Sequence, residues 1–239
     1  MIRSETPTAL GGYERLQERA ALANRFRYQC LPSPFDYSRA VLSVPREAVD
    51  PADREGHERA IVTFVEDLGE CEAVLMLFSS RAQLRGVEKA LSPARRERVL
   101  AQDRLPKREL ITRHRARVDA GEGSIIFGLA SFAEGIDLPG EYLTHVVITR
   151  LPFSVPDDPV GATLAEWIES RGGNPFMRIS VPDASIKLVQ ACGRLIRKES
   201  DTGRITLLDR RVLTRRYGRA LLDALPPFVR EIDGVRQGV

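Results

Sequence analysis

Ala73-Val-Leu-Met-Leu-Phe78 is an unbroken apolar run, preceded by an acidic turn and followed by Ser79-Ser80. A strand with one wet face alternates apolar and polar residues. A short run with no polar position reads as a strand covered on both faces, as in a parallel sheet. The same signature returns at Ser124–Gly128, Thr144–Thr149 and Arg204–Asp209. A weaker alternation at Arg39–Val44 predicts one more strand, stopped by Pro45. Helical spacing separates these runs. His57–Leu68 carries Ile61, Phe64, Val65 and Leu68 on one face, and helices are also predicted over Arg81–Leu91, Leu110–Ala120, Ala162–Ser170 and Ser185–Lys198. Strands alternating with helices specify an α/β fold with a parallel sheet and helices on both faces.

The flanks are less regular. Residues 1–30 are polar and Arg-rich, with a helix predicted over Tyr13–Phe26, and Leu31-Pro-Ser-Pro-Phe35 breaks that pattern. Residues 46–56 read as a loop, and residues 92–109 as charged and irregular. The expected organisation is an N-terminal helical or linker segment over 1–30, one α/β domain over 31–228, and a loose tail over 229–239.

Composition narrows the class. Of 239 residues 43% are hydrophobic, enough for a core, and 29% are charged, too few for wholesale disorder. No stretch approaches the ~18 apolar residues of a membrane span, and the first residues lack a secretory pattern. Cys30, Cys71 and Cys192 are widely spaced and form no zinc or disulfide pattern, so a reducing cytoplasm is the expected compartment. The net charge is only +3, which does not by itself predict nucleic-acid binding. Only Lys89, Lys107, Lys187 and Lys198 are lysines among 36 basic residues; the others are arginines. Arginine suits bidentate contact with phosphate, although a coding bias gives the same excess.

Two segments carry chemistry. On a continuous helix, Gln190, Gly193, Arg194 and Arg197 fall at i, i+3, i+4 and i+7, opposite Leu188, Cys192, Leu195 and Ile196. One face is buried, and the other presents a glutamine and two arginines with Gly193 between them. The alternative is a solvated basic face on an amphipathic helix. The second segment, Ser131-Phe-Ala-Glu-Gly-Ile-Asp-Leu-Pro-Gly140, follows the strand Ser124–Gly128 directly. Ligands of open α/β sheets gather beyond the carboxyl ends of strands. There Glu134 and Asp137 are placed to bond backbone, ribose or a catalytic partner, or else simply to cap a helix.

Taken together and in this order, these segments resemble the second RecA-like motor domain of superfamily-two helicases, in the branch containing DinG and XPD. Ser131–Asp137 is similar to that family's motif V, Gln190–Arg197 to motif VI, and Val74–Ser80 to motif IV. Leu151–Pro159, Leu207–Thr214 and Tyr217–Pro226 extend the likeness to the bacterial DinG group, so that it covers residues 30–228. The resemblance implies a RecA-like P-loop NTPase-type sheet and ATP bound with Mg²⁺ between two motor domains. It places Arg197, with Arg194, at the γ-phosphate, Arg197 being the arginine finger. It implies ATP contacts at Gln190, Gly193, Glu134, Gly135 and Asp137, and single-stranded DNA contacts at Ser79, Ser80, Arg81, Ser131 and Phe132. DinG-like relatives generally move 5′ to 3′.

The departures limit this reading. No GxxxxGK[ST] phosphate loop and no Asp-Glu-Ala-His-like metal-binding sequence occurs in these residues, and three scattered cysteines cannot supply the iron–sulfur cluster of many family members. The expectation is half of a motor, inactive alone and dependent on a first RecA-like domain in cis or trans. Two other classes compete. One is a non-catalytic nucleic-acid module using the Arg-rich stretches Arg81–Arg98 and Arg210–Arg219. The other is a small-molecule enzyme using Asp137, His145 or Asp209. Cys192, on the apolar face, reads as core, and Trp167 as core or interdomain packing.

Overall fold

In a computed structural model, the described residues are 33–237 except 130, 131, 133, 134 and 155–158. The expected Tyr13–Phe26 helix lies outside them. They divide into two compact units: Phe35–Leu151 with Ala191–Arg211 and Pro227–Val239, and Pro152–Gln190 with Val212–Pro226.

The larger unit holds the sheet. Its strands are β1 (Ala40–Val44), β2 (Ala73–Phe78), β3 (Val99–Ala101), β4 (Ser124–Leu129), β5 (His145–Ile148), β6 (Gly203–Leu207), β7 (Val229–Ile232) and β8 (Val235–Gln237). They are ordered β3-β4-β2-β5-β6-β1-β7-β8. Every pair is parallel except β7–β8. The apolar runs become the centre: Leu75 of β2 sits between Ile126 of β4 and Val146 of β5.

Helices α1 (Arg54–Glu66) and α2 (Arg81–Ala90) cover one face. Ile61, Val65, Leu84 and Val87 join Val74, Met76, Phe78, Ile125 and Phe127 in one core. Asp53 and Ser80 start these helices by accepting the N–H groups of Gly56 and Gln83. The short α3 (Pro93–Glu97) follows, and α4 (Lys107–Asp119) lies on the opposite face, where its His114 meets Ser124. This is the two-sided α/β arrangement the alternating pattern predicts.

Three features depart from the sequence reading. The stretch 92–109, expected to be irregular, contains α3 and β3. Three residues are too few for a periodic signal, and β3 is ordered by pairing with β4. The tail expected to be loose over 229–239 forms β7 and β8, because β7 extends the sheet alongside β1 and β8 folds back on it. The helix expected over Ser185–Lys198 is α6 (Val181–Cys192), after α5 (Pro159–Ser170).

In the smaller unit, α6 buries Val181, Ala184, Ser185 and Leu188 along one stripe. A π-helical turn, Phe176–Ser180, precedes it, and α7 (Arg216–Asp223) also belongs to this unit. Phe153, Phe176 and Tyr217 form a ring cluster with centroids 5.1–5.3 Å apart. Trp167 is not in a core: it is 45% exposed, with the Arg171 guanidinium over its ring. Among the described residues no helix is long and apolar enough to cross a membrane.

Candidate nucleotide and nucleic-acid site

The parallel order brings the ends of β2, β4 and β5 to one edge of the sheet. The loop after β4 is shaped at Gly128 and Gly135. A Cβ on Gly128 would stand 2.6 Å from the Phe132 ring, so only glycine lets that ring lie against the strand. Gly135 has φ of 70°, a left-handed conformation that favours glycine. Ile136 and Leu138 are buried and anchor the loop, while Gly135 before them and Asp137 between them are exposed. Arg115 of α4 donates to the Asp137 carbonyl at 2.9 Å. Lys107 lies 5.4 Å from the Phe132 ring centroid. Ser131 and Glu134 are outside the described residues.

The second segment leaves the helix earlier than its spacing predicts. Gly193 has low helix propensity, and the bonds from Arg194 N–H to Ala191 and from Leu195 N–H to Cys192 are already tighter i→i−3 turns. The single helical face carrying Gln190, Gly193, Arg194 and Arg197 therefore does not form. Gln190 is exposed in the last turn of α6 and belongs to the smaller unit; Gly193, Arg194 and Arg197 belong to the larger. The apolar half of the pattern survives, since Cys192, Leu195 and Ile196 are all buried. The two arginines also meet again by another route: Arg194 Nη1 and Arg197 Nη2 each donate to the Ile136 carbonyl at 3.3 Å. Arg194 is half-buried and Arg197 exposed.

At the end of β2, Ser79 and Ser80 are exposed, and the Ser80 hydroxyl caps α2. Arg81 projects from the first turn, its Nε 3.7 Å from Asp103.

Residues 64–228 match the helicase C-terminal domain family. The chain belongs to that family. It is 47% identical over 211 residues to an ATP-dependent DNA helicase DinG of Photobacterium profundum, a match covering 87% of this chain and 30% of the relative. It is 37% identical to the ATP-dependent DNA helicase DinG of Escherichia coli K12, over 100% of this chain and 34% of the relative. This helicase C-terminal domain thus spans about a third of the length of these curated relatives. Among solved structures, one titled XPD helicase superposes with a TM-score of 0.60 at 18% identity, covering 82% of this chain and 36% of the other. An Xpd4 structure from S. tokodaii gives 0.55 at 17%, covering 83% and 43%. The fold is that of the RecA-like second domain of DinG/XPD-type proteins.

Groups that a small-molecule enzyme would use have structural work in this helicase domain. His145 is buried between Glu72 and Thr206, at 2.8 Å from each. Asp209 is buried and accepts from Leu151 N–H and from the backbone and guanidinium of Arg211. His57 bridges Gln83 and the Thr149 carbonyl, and His114 bridges Ser124 and the Tyr142 carbonyl. Burial depresses the pKa of both. Cys192 is in the core, its thiol pushed up to about 12 by burial, so it is no nucleophile.

Many arginines are equally occupied. Arg95 donates to the Glu66 and Leu68 carbonyls at the end of α1, Arg96 to three carbonyls at the end of α2, and Arg117 to those of Glu97 and Arg98. Cations at helix C-termini satisfy orphan carbonyls and meet the negative end of the dipole. Among the described residues no group of three or more His, Cys, Asp or Glu side chains is placed to hold a metal ion. Sequence reasoning did not single out Ile136 or Arg115: one acts through its carbonyl and the other through a contact made only by folding.

Proposed function

We propose that this chain is the C-terminal motor half of an ATP-dependent DNA helicase of the DinG type, working with a first RecA-like domain on single-stranded DNA. The observation that carries the reading is the convergence of Arg194 and Arg197 on the Ile136 carbonyl, beside the loop that leaves β4. The printed names of the relatives, ATP-dependent DNA helicases, point the same way. The first domain supplies the phosphate loop and the magnesium carboxylate, neither of which this sequence contains.

Arg197 is the arginine finger. Charge accumulates on the transferring phosphoryl oxygens, and a positioned guanidinium there is worth about 10³–10⁵ in turnover. Arg194 lies beside it and holds the Ile136 carbonyl. Gln190 and Gly193 border the nucleotide. Gly135 and Asp137, on the loop that Ile136 anchors, link the nucleotide side to the strand-binding side, and Glu134 is a further ATP contact. Ser79, Ser80, Arg81, Ser131 and Phe132 face the DNA strand, with 5′-to-3′ movement in the cytoplasm. A purely nucleic-acid-binding role is less well supported, because Arg95, Arg96 and Arg98 in one of its basic stretches are bonded to groups of this chain.

The test is Arg197→Ala in the complete motor. ATP turnover falls by orders of magnitude while the KM for ATP changes little, since the contact is made mainly in the transition state. Near-normal turnover in that variant moves the finger elsewhere, and Arg194→Ala then identifies whether it is Arg194.

A further inference from the structure

We infer that Asp201 is a positioning residue for Arg197, and that the loop 197–201 is a built holder for that guanidinium. The inference rests on the reading of Arg197 given above. Asp201 is 4% exposed. Its Oδ2 accepts two backbone N–H groups, from Arg197 at 2.7 Å and from Lys198 at 2.8 Å, and its own N–H returns to the Lys198 carbonyl at 3.1 Å. A carboxylate bonded to consecutive amides fixes the φ/ψ of the residues that carry them, here the residue bearing the guanidinium. Bonds to an ionised acceptor are the strong ones.

Two more contacts fasten the same loop. Arg39, just before β1, donates Nη1 to the Glu199 carbonyl at 2.8 Å. Beyond the loop, Gly203 enters β6 with φ of 154°. A Cβ there would stand 2.3 Å from the Thr144 carbonyl oxygen and 2.9 Å from Leu195, so the chain passes close under the preceding turn. The loop is held at both ends while Arg197 itself is exposed.

The arrangement is kept at a cost. The other oxygen of Asp201, Oδ1, is buried without a hydrogen-bond partner. A buried polar atom left unmet calls for a reason. A side chain serving stability alone is better replaced by one with no orphaned atom.

The test is a double-mutant cycle in the complete motor, measuring ATP turnover stimulated by a single-stranded oligothymidylate, with Mg²⁺–ATP varied. Asp201→Ala lowers kcat at least tenfold with the KM for ATP within about threefold. In the Arg197→Ala background the same change lowers kcat no further, because there is no guanidinium left to place. A merely structural aspartate lowers kcat by the same factor in both backgrounds, and that result, or an unchanged kcat in Asp201→Ala, overturns the inference. If Asp201→Ala does not fold, Arg39→Ala, at an exposed bond, replaces it in the cycle. It lowers kcat severalfold with the same loss of effect in the Arg197→Ala background; equal factors in both overturn the holder. A normal kcat in Arg197→Ala alone overturns the finger instead, a result separate from either.

Discussion

Arg194 and Arg197 share one acceptor: the Ile136 carbonyl takes a hydrogen bond from each, at 3.3 Å. Bonds of that length to a neutral oxygen are weaker than charge-assisted bonds to a phosphoryl oxygen, which run near ~2.7–2.9 Å. The acceptor belongs to the loop that also carries Gly135 and Asp137. A lysine at 197 offers a point charge in place of a planar fork. Arg197→Lys in the complete motor is expected to keep less than a tenth of the wild-type kcat with little change in KM, in steady-state ATPase assays. A lysine variant of full activity would show that charge alone suffices at this position.

Arg96 closes α2. Its Nε and Nη2 donate to the carbonyls of Glu88, Lys89 and Leu91 at 3.0, 2.6 and 2.7 Å. A charged donor bonded to several orphan carbonyls exceeds an ordinary surface pair, and Arg96→Ala should cost about 2 kcal/mol in urea unfolding. Arg96→Lys should recover only a minor part, because an ammonium cannot span three carbonyls from one fork. An Arg96→Ala stability within error of wild type would return this arginine to the solvated surface.

Acid should weaken the fold through its buried imidazoles. Burial lowers the pKa of His57 and His114 from the ordinary value of 6.5, so the folded protein holds them neutral while the unfolded chain takes up protons. Their stabilisation is full above about pH 6.5 and is lost as pH falls from there toward the depressed folded values. Each contributes a slope of at most about 1.4 kcal/mol per pH unit in that window. Glu72 adds a separate, lower limb: its hydrogen bond to His145 lowers its pKa, so its contribution disappears only as pH drops below the usual carboxylate range. Urea midpoints between pH 7.5 and 5 should fall, and His114→Gln should reduce that slope. A slope unchanged in His114→Gln assigns the acid sensitivity elsewhere.

The legible parts of the chain are those where one face or both faces must be dry. Ala73–Phe78 reads as a buried strand over the same residues in sequence and structure, and the apolar set Cys192, Leu195 and Ile196 is buried as its pattern requires. The end of α6 was not legible, because a 3.6-residue period continues through Arg197 although the hydrogen bonds do not. What ends it is Gly193 and the i→i−3 turns that Arg194 and Leu195 close after it, which leave no periodic trace. Strand β3 and the β7–β8 pair were missed for a related reason: each is ordered by a neighbour distant in sequence. The arginine excess was ambiguous because phosphate contact and carbonyl capping require the same side chain.

Phosphoryl transfer sets the last expectation. An arginine stabilises charge only on a nucleotide that something else has bound and oriented, since the acceleration comes from preorganised charge and positioning together. This sequence contains no GxxxxGK[ST] loop and no Asp-Glu-Ala-His-like metal-binding sequence. The purified chain should therefore show no Mg²⁺-dependent ATP hydrolysis above the buffer rate, with or without single-stranded DNA. Adding a first RecA-like domain of the same motor should produce turnover, and Arg197→Ala in this chain should abolish it while leaving the two domains associated. Robust hydrolysis by the chain alone would mean that it binds and activates ATP through its own groups, and the division of labour between two domains would fail with it.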